Sequence, residues 1–172
     1  MALFVIYGNM NSGKTHTCWL IRALLKNAGK ELEFKSTDGH PDWTFSEVLQ
    51  HINDRFVAPA ITPQASDFRA LFAYKEKKIA IFSAGDYIHD ENWVVTSFDD
   101  NMAWAQKNNA DHVICCSRSR NNDGSVRNAL LDNYRMSIYR WYWKDKLNTV
   151  KEQIAEAQRI AIELFTDIKS NC

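Results

Sequence analysis

The sequence predicts an α/β fold, a three-layer sandwich around a mostly parallel central sheet with one antiparallel hairpin strand. Three observations lead there. Short β-rich apolar runs alternate with segments whose apolar residues recur at helical spacing, the order in which strands are connected through helices. Two of those runs, residues 67–74 and 79–83, are separated only by Lys75, Glu76, Lys77 and Lys78. They must form an antiparallel hairpin, because a parallel crossover needs about a dozen residues or more. Finally, the first apolar run, residues 3–7, enters a glycine-bounded loop and an apolar-periodic helix leaves it.

Composition sets the frame. At 172 residues, with no Pro/Ser-rich linker, the chain reads as one domain spanning 1–172. Its 21 basic and 21 acidic side chains cancel, so no overall field attracts nucleic acid, and a nucleic-acid partner is not expected. The N-terminal apolar run is too short for a signal peptide and no stretch approaches a membrane span, so a cytoplasmic protein without membrane contact is expected. Cys18, Cys115, Cys116 and Cys172 have neither metal spacing nor the density of a secreted framework. They read as reduced and structural, with Cys115 and Cys116 on opposite faces of a strand.

The loop carries the most information. Gly8, Asn9, Met10, Asn11, Ser12, Gly13, Lys14 and Thr15 fit the spacing Gly-x-x-x-x-Gly-Lys-Thr, a P-loop. In that pattern successive backbone N–H groups curl around a phosphate, the lysine neutralises the outer phosphates, and the final hydroxyl ligates Mg²⁺. Gly8 and Gly13 leave the backbone free to turn without a Cβ in the anion's path, and the helix offers unpaired N–H groups. A chance match in a chain of this length comes out at roughly one in a hundred or less on average residue usage. The flanking strand and helix, with Trp19, Leu20, Ala23 and Leu24 on one side and Gly29 as the stop, are the context the motif requires. Gly8, Asn9, Asn11, Ser12, Gly13, Lys14, Thr15 and His16 are therefore the expected nucleotide-binding residues, with Lys14 catalytic and Thr15 on the metal.

Further along, residues 33–35 allow a short extended piece, and residues 36–42 are turn chemistry. Thr44 and Glu47 form a capping box for a helix that fades near Asp54, and residues 59–66 are irregular. The second hairpin strand ends in Ser83, Ala84, Gly85 and Asp86. An acid at the carboxyl end of an apolar strand is placed to hold a Mg²⁺ shell or orient a water, so Asp86 is the first candidate; Asp38 is its rival. Either aspartate would also serve as a simple turn residue. Ser97 caps a helix to about Lys107, and residues 112–116 read as a buried strand leading into Ser117, Arg118, Ser119 and Arg120. Arg118 and Arg120, on the edge where open α/β sheets bind ligands, are candidates for binding phosphate or, as catalytic residues, for stabilising charge that develops during phosphoryl transfer; the alternative is a solvated basic loop or ion pairs with the acidic loops. Ser125 caps the next helix, residues 136–143 form the last strand, and the Thr149–Glu152 capping box opens a helix with one apolar stripe. That stripe docks on the sheet; a monomer or a homodimer fits it.

Through residues 8–15 and the strand leading to Asp86, the chain resembles the P-loop NTPase superfamily. The hairpin whose second strand carries the acid resembles the arrangement in Ras-like and translation-factor-like GTPases. The motifs differ: Ser83-Ala84-Gly85-Asp86 stands where those GTPases have Asp-x-x-Gly, and Cys116-Ser117-Arg118-Ser119 where they have Asn-Lys-x-Asp. The chain also resembles small uncharacterised ATP-binding P-loop proteins with a Gly-Asp after one strand and a Cys-x-Ser-Arg-like motif after another. These resemblances imply ATP rather than GTP, with Mg²⁺, and an ATPase hydrolysing the β–γ bond. That ATPase would drive a protein partner; the alternatives are a kinase passing the phosphoryl group to a small acceptor, and a nucleotide-binding module with negligible turnover.

Overall fold

The computed structural model describes residues 1–9, 11–37, 42–84, 97–119 and 125–172. Six strands form one mixed sheet in the order β2-β3-β4-β5-β1-β6. The strands are β1 (Ala2–Gly8), β2 (Lys30–Ser36), β3 (Phe68–Tyr74), β4 (Lys77–Phe82), β5 (His112–Arg118) and β6 (Ile138–Lys144). β4, β5, β1 and β6 pair in parallel, whereas β3 pairs antiparallel with both β2 and β4. Only β3 runs against its neighbours, which is the hairpin strand that the short 75–78 turn requires. The turn itself is tighter than the sequence indicates, since Tyr74 already faces Lys77, and Lys75 takes a φ of 51°.

The helices are α1 (Lys14–Ala28), α2 (Phe45–Val57), α3 (Phe98–Lys107), α4 (Val126–Asn133) and α5 (Val150–Ser170). β1 lies inside the sheet and is apolar on both sides, so its side chains alternate between two cores. Phe4 and Ile6 join Trp19, Leu20, Val48 and Leu164 on the face of α1, α2 and α5, while Leu3 and Val5 join Phe98, Met102 and Leu130 on the face of α3 and α4. Each fully buried large apolar side chain here contributes about 1.5–3 kcal/mol relative to exposure. Cys115 and Cys116 divide between the two cores as the period-2 rule demands, and the cysteines are free thiols.

Two elements differ from the sequence expectation. The extended piece at residues 33–35 is a full edge strand, β2, held by the buried Arg22 of α1. Its Nε and Nη2 donate to Glu31 at 2.7 and 2.9 Å, its Nη1 lies 2.9 Å from Asp42, and its guanidinium stacks 3.8 Å from the Phe34 ring centroid. The charged, alternating sequence of β2 hides a strand whose inward contacts combine the ion pairs of Glu31 and Glu33 with the packing of Phe34 on Trp19 and Phe68. The last strand begins at Ile138 rather than Met136, because Arg135–Ser137 forms a 3-10 turn. No helix among the described residues is long and apolar enough to cross a membrane.

Candidate functional site

The loop after β1 sits at the carboxyl edge of the parallel strands, between β1 and the first turn of α1. Asn11 and Gly13 adopt left-handed φ values of 59° and 83°, the alternation that turns successive N–H groups inward as an anion-binding nest. α2, α3, α4 and α5 each start with a hydroxyl that accepts from a backbone N–H: Thr44, Ser97, Ser125 and Thr149. α1 starts with Gly13, has no side-chain cap and carries no acid in its first turn. Its N-terminal N–H groups and dipole are left for a ligand. Lys14 folds over the loop, its Nζ donating to the carbonyls of Gly8 and Asn9 at 3.2 and 3.0 Å. Gly8 is required by packing as well: a Cβ there would lie 2.3 Å from the carbonyl oxygen of Lys144 in β6.

Across from the loop stands a carboxylate that lies outside the candidates the sequence pattern offers. Asp67 immediately precedes β3, and because β3 is reversed, its N-terminal end lies at the carboxyl edge of the other strands. Thr15 Oγ1 donates to Asp67 Oδ1 at 3.4 Å, and Ser83 Oγ donates to the same oxygen at 2.8 Å. Ser83 is itself fixed, accepting from the Phe68 amide at 3.0 Å. The hairpin reading already contained the signal: a reversed strand that begins with an acid delivers it to this edge.

Loop and carboxylate border a cleft of about 470 Å³. Ile52, Arg55 and Phe56 of α2 form one wall, and Lys144, Leu147 and Gln153 the other. His16, one residue after Thr15, shares a 2.8 Å hydrogen bond between its Nε2 and His51 Nδ1. Burial, and then the charges of His51, Arg55 and Lys144, lower its pKa to about 3, so the imidazole is neutral. Burial likewise lowers Lys144 to about 8.

The donor set fits Mg²⁺. A hydroxyl and a carboxylate are hard oxygen ligands, and a Mg²⁺ ion held by them would take the rest of its shell from a ligand and water. No group of three or more His, Cys, Asp or Glu gathers among the described residues as a protein cage for a metal would. Of the residues expected from sequence, Asn11, Ser12, Gly13, Lys14, Thr15 and His16 line the cleft. Gly8 and Asn9 hold Lys14, and Asn9 Oδ1 accepts from Ser119 Oγ at 2.8 Å. Arg118 pairs in register with Gly8 and, two residues after Cys116, is on the α1 face of β5. Asp38, Asp86 and Arg120 lie outside the described residues. Asp42 is committed to Arg22 and Lys26.

Compared with protein-family models, with curated proteins and with solved structures, the chain matches none.

Proposed function

We propose that this chain is a Mg²⁺-dependent ATP-binding protein of P-loop NTPase type, a single nucleotide-binding domain that hydrolyses the β–γ phosphate bond. The observation that carries the reading is the conjunction at one sheet edge of an uncapped helix start, Lys14 over the loop, and the Thr15 hydroxyl on Asp67. In this reading the α1 amides and Lys14 bind phosphoryl oxygens, and Thr15 and Asp67 hold the Mg²⁺ shell. Preorganised donors of this kind stabilise charge developing on the transferred group. ATP is favoured over GTP because Cys116-Ser117-Arg118-Ser119, at the carboxyl end of β5, stands where a guanine-reading motif would be.

Thermal unfolding tests it. At a hundred times its Kd, Mg·ATP stabilises the native state by about 2.7 kcal/mol. We expect a corresponding rise in Tm for the wild type, a smaller one with GTP, and almost none for Lys14→Ala; equal shifts for wild type and Lys14→Ala refute the assignment. Phosphate release then measures hydrolysis. Transfer to a small acceptor is the second reading, favoured by the extension of the cleft beyond the loop to Arg55 and Phe56. Phosphate release that gives way to a phosphorylated product when nucleoside monophosphates are added would select it.

A further inference from the structure

Lys144 closes β6 and pairs in register with Gly8, the first residue of the loop. Its side chain is buried, only 1% of the residue being exposed, yet it lines the cleft. The aliphatic stem runs along the loop, with Cε 3.8 Å from where a Cβ on Gly13 would stand. Among the described residues the ammonium makes one hydrogen bond, to Gln153 Oε1 at the long distance of 3.5 Å. No carboxylate among the described residues lies within ion-pair distance of it; Glu156 and Asp145 act on it only through space, and Arg159 opposes them. A buried cation with so little compensation is costly, and such groups are held in place by an anion. Ser12 Oγ, on the same loop, is also buried without a hydrogen-bond partner.

We infer that Lys144 is a second ammonium for the polyphosphate of the bound nucleotide, bonding a phosphoryl oxygen from the β6 side while Lys14 does so from the α1 side. The inference rests on the P-loop reading and extends it to a residue outside the motif. It also assigns a reason to the contact between Gly8 and the Lys144 carbonyl: the glycine lets the end of β6 close on the loop. The groups facing this ammonium are Lys14 and His16 from α1, Arg55 from α2, Asp145 and Lys146 beside it, and Glu156 and Arg159 from α5. A phosphate arriving among them favours the charged form of Lys144, so binding takes up a proton wherever the free lysine is partly neutral.

The test is calorimetric titration of the full chain with a non-hydrolysable ATP analogue plus Mg²⁺, and with inorganic tripolyphosphate, in buffers of different ionisation enthalpy. Wild-type uptake should be small at pH 7, about half a proton at pH 8 and about nine-tenths at pH 9. Lys144→Met should bind both ligands about tenfold or more weakly and lose the rise in uptake. Lys144→Arg should keep affinity within about threefold and also lose the rise, since arginine stays charged. Uptake that is flat from pH 7 to 9 in the wild type, or wild-type affinity in Lys144→Met, overturns the inference. The wild-type proton count stands even if a variant does not fold. Wild-type protein that binds neither ligand, or Lys14→Ala that binds both as well as wild type, refutes the P-loop reading and the inference with it.

Discussion

Acidification should weaken this fold through one imidazole. His16 is neutral in the native state, its pKa lowered to about 3 first by burial and then by the charges of His51, Arg55 and Lys144. In the unfolded chain the same group returns to about 6.5. Between those values the unfolded state binds more protons than the native state, so stability rises with pH across the window and falls as pH drops below 6.5. From pH 8 to pH 5 the full shift corresponds to about 2 kcal/mol, and solvent that still reaches the ring reduces this to about 1–2 kcal/mol. Urea unfolding at pH 8, 7, 6 and 5 measures it, with His16→Asn as the reference that lacks the titrating ring. Groups remote from the ring, such as His112, whose pKa is also lowered by burial, titrate in both proteins and cancel in the difference. The stability difference between wild type and His16→Asn should move by about 1–2 kcal/mol against the wild type as pH falls. A difference that stays constant from pH 8 to pH 5 refutes a neutral, shielded His16.

Asp67→Asn should leave ATP binding and folding nearly intact but raise the Mg²⁺ concentration required for turnover about tenfold or more, because the charge facing the metal shell is lost. Mg²⁺ titrations of phosphate release, run beside Asp86→Asn, check it; a wild-type Mg²⁺ profile for Asp67→Asn together with a shifted one for Asp86→Asn makes Asp86 the metal ligand instead. Arg118→Ala should lower kcat by about tenfold or more with ATP affinity little changed, as expected of a cation that acts on developing charge. Unchanged kcat and affinity would make it a surface arginine.

The sequence made some features legible because they are local. The loop spacing, the hydroxyl caps at Thr44, Ser97, Ser125 and Thr149, and the hairpin each depend on residues a few positions apart, and each appears in the structure. β2 was only partly legible. Its sequence, Lys-Glu-Leu-Glu-Phe-Lys-Ser, exposes the outward positions of an edge strand, and Glu31 is satisfied by Arg22, nine residues earlier. Asp67 and Lys144 were not selected, because their significance comes from strand order and direction. Asp67 matters only once β3 is known to run against β4, and Lys144 only once β6 is known to lie beside β1. Periodicity describes an element's faces and says nothing of its neighbours.

The reversal of β3 also bears on how the carboxylate is held. An acid at the carboxyl end of a parallel strand hangs on the loop that follows it, whereas Asp67 enters β3 and is anchored on three sides. Ser83, from the end of β4, donates to its side chain; the Thr37 amide, just after β2, donates to its backbone carbonyl at 2.9 Å; and Thr15 approaches from α1. Three adjacent strands and α1 thus meet at one residue, β2 through its backbone and β4 and α1 through its carboxylate. A metal shell built there would have its protein ligands set by the sheet, which loses little freedom on binding, and ligand-induced ordering would be left to the loops around it. Thr15 Oγ1 lies 3.4 Å from Asp67 Oδ1, so under the proposed reading a Mg²⁺ ion would exchange one weak hydrogen bond for two oxygen contacts.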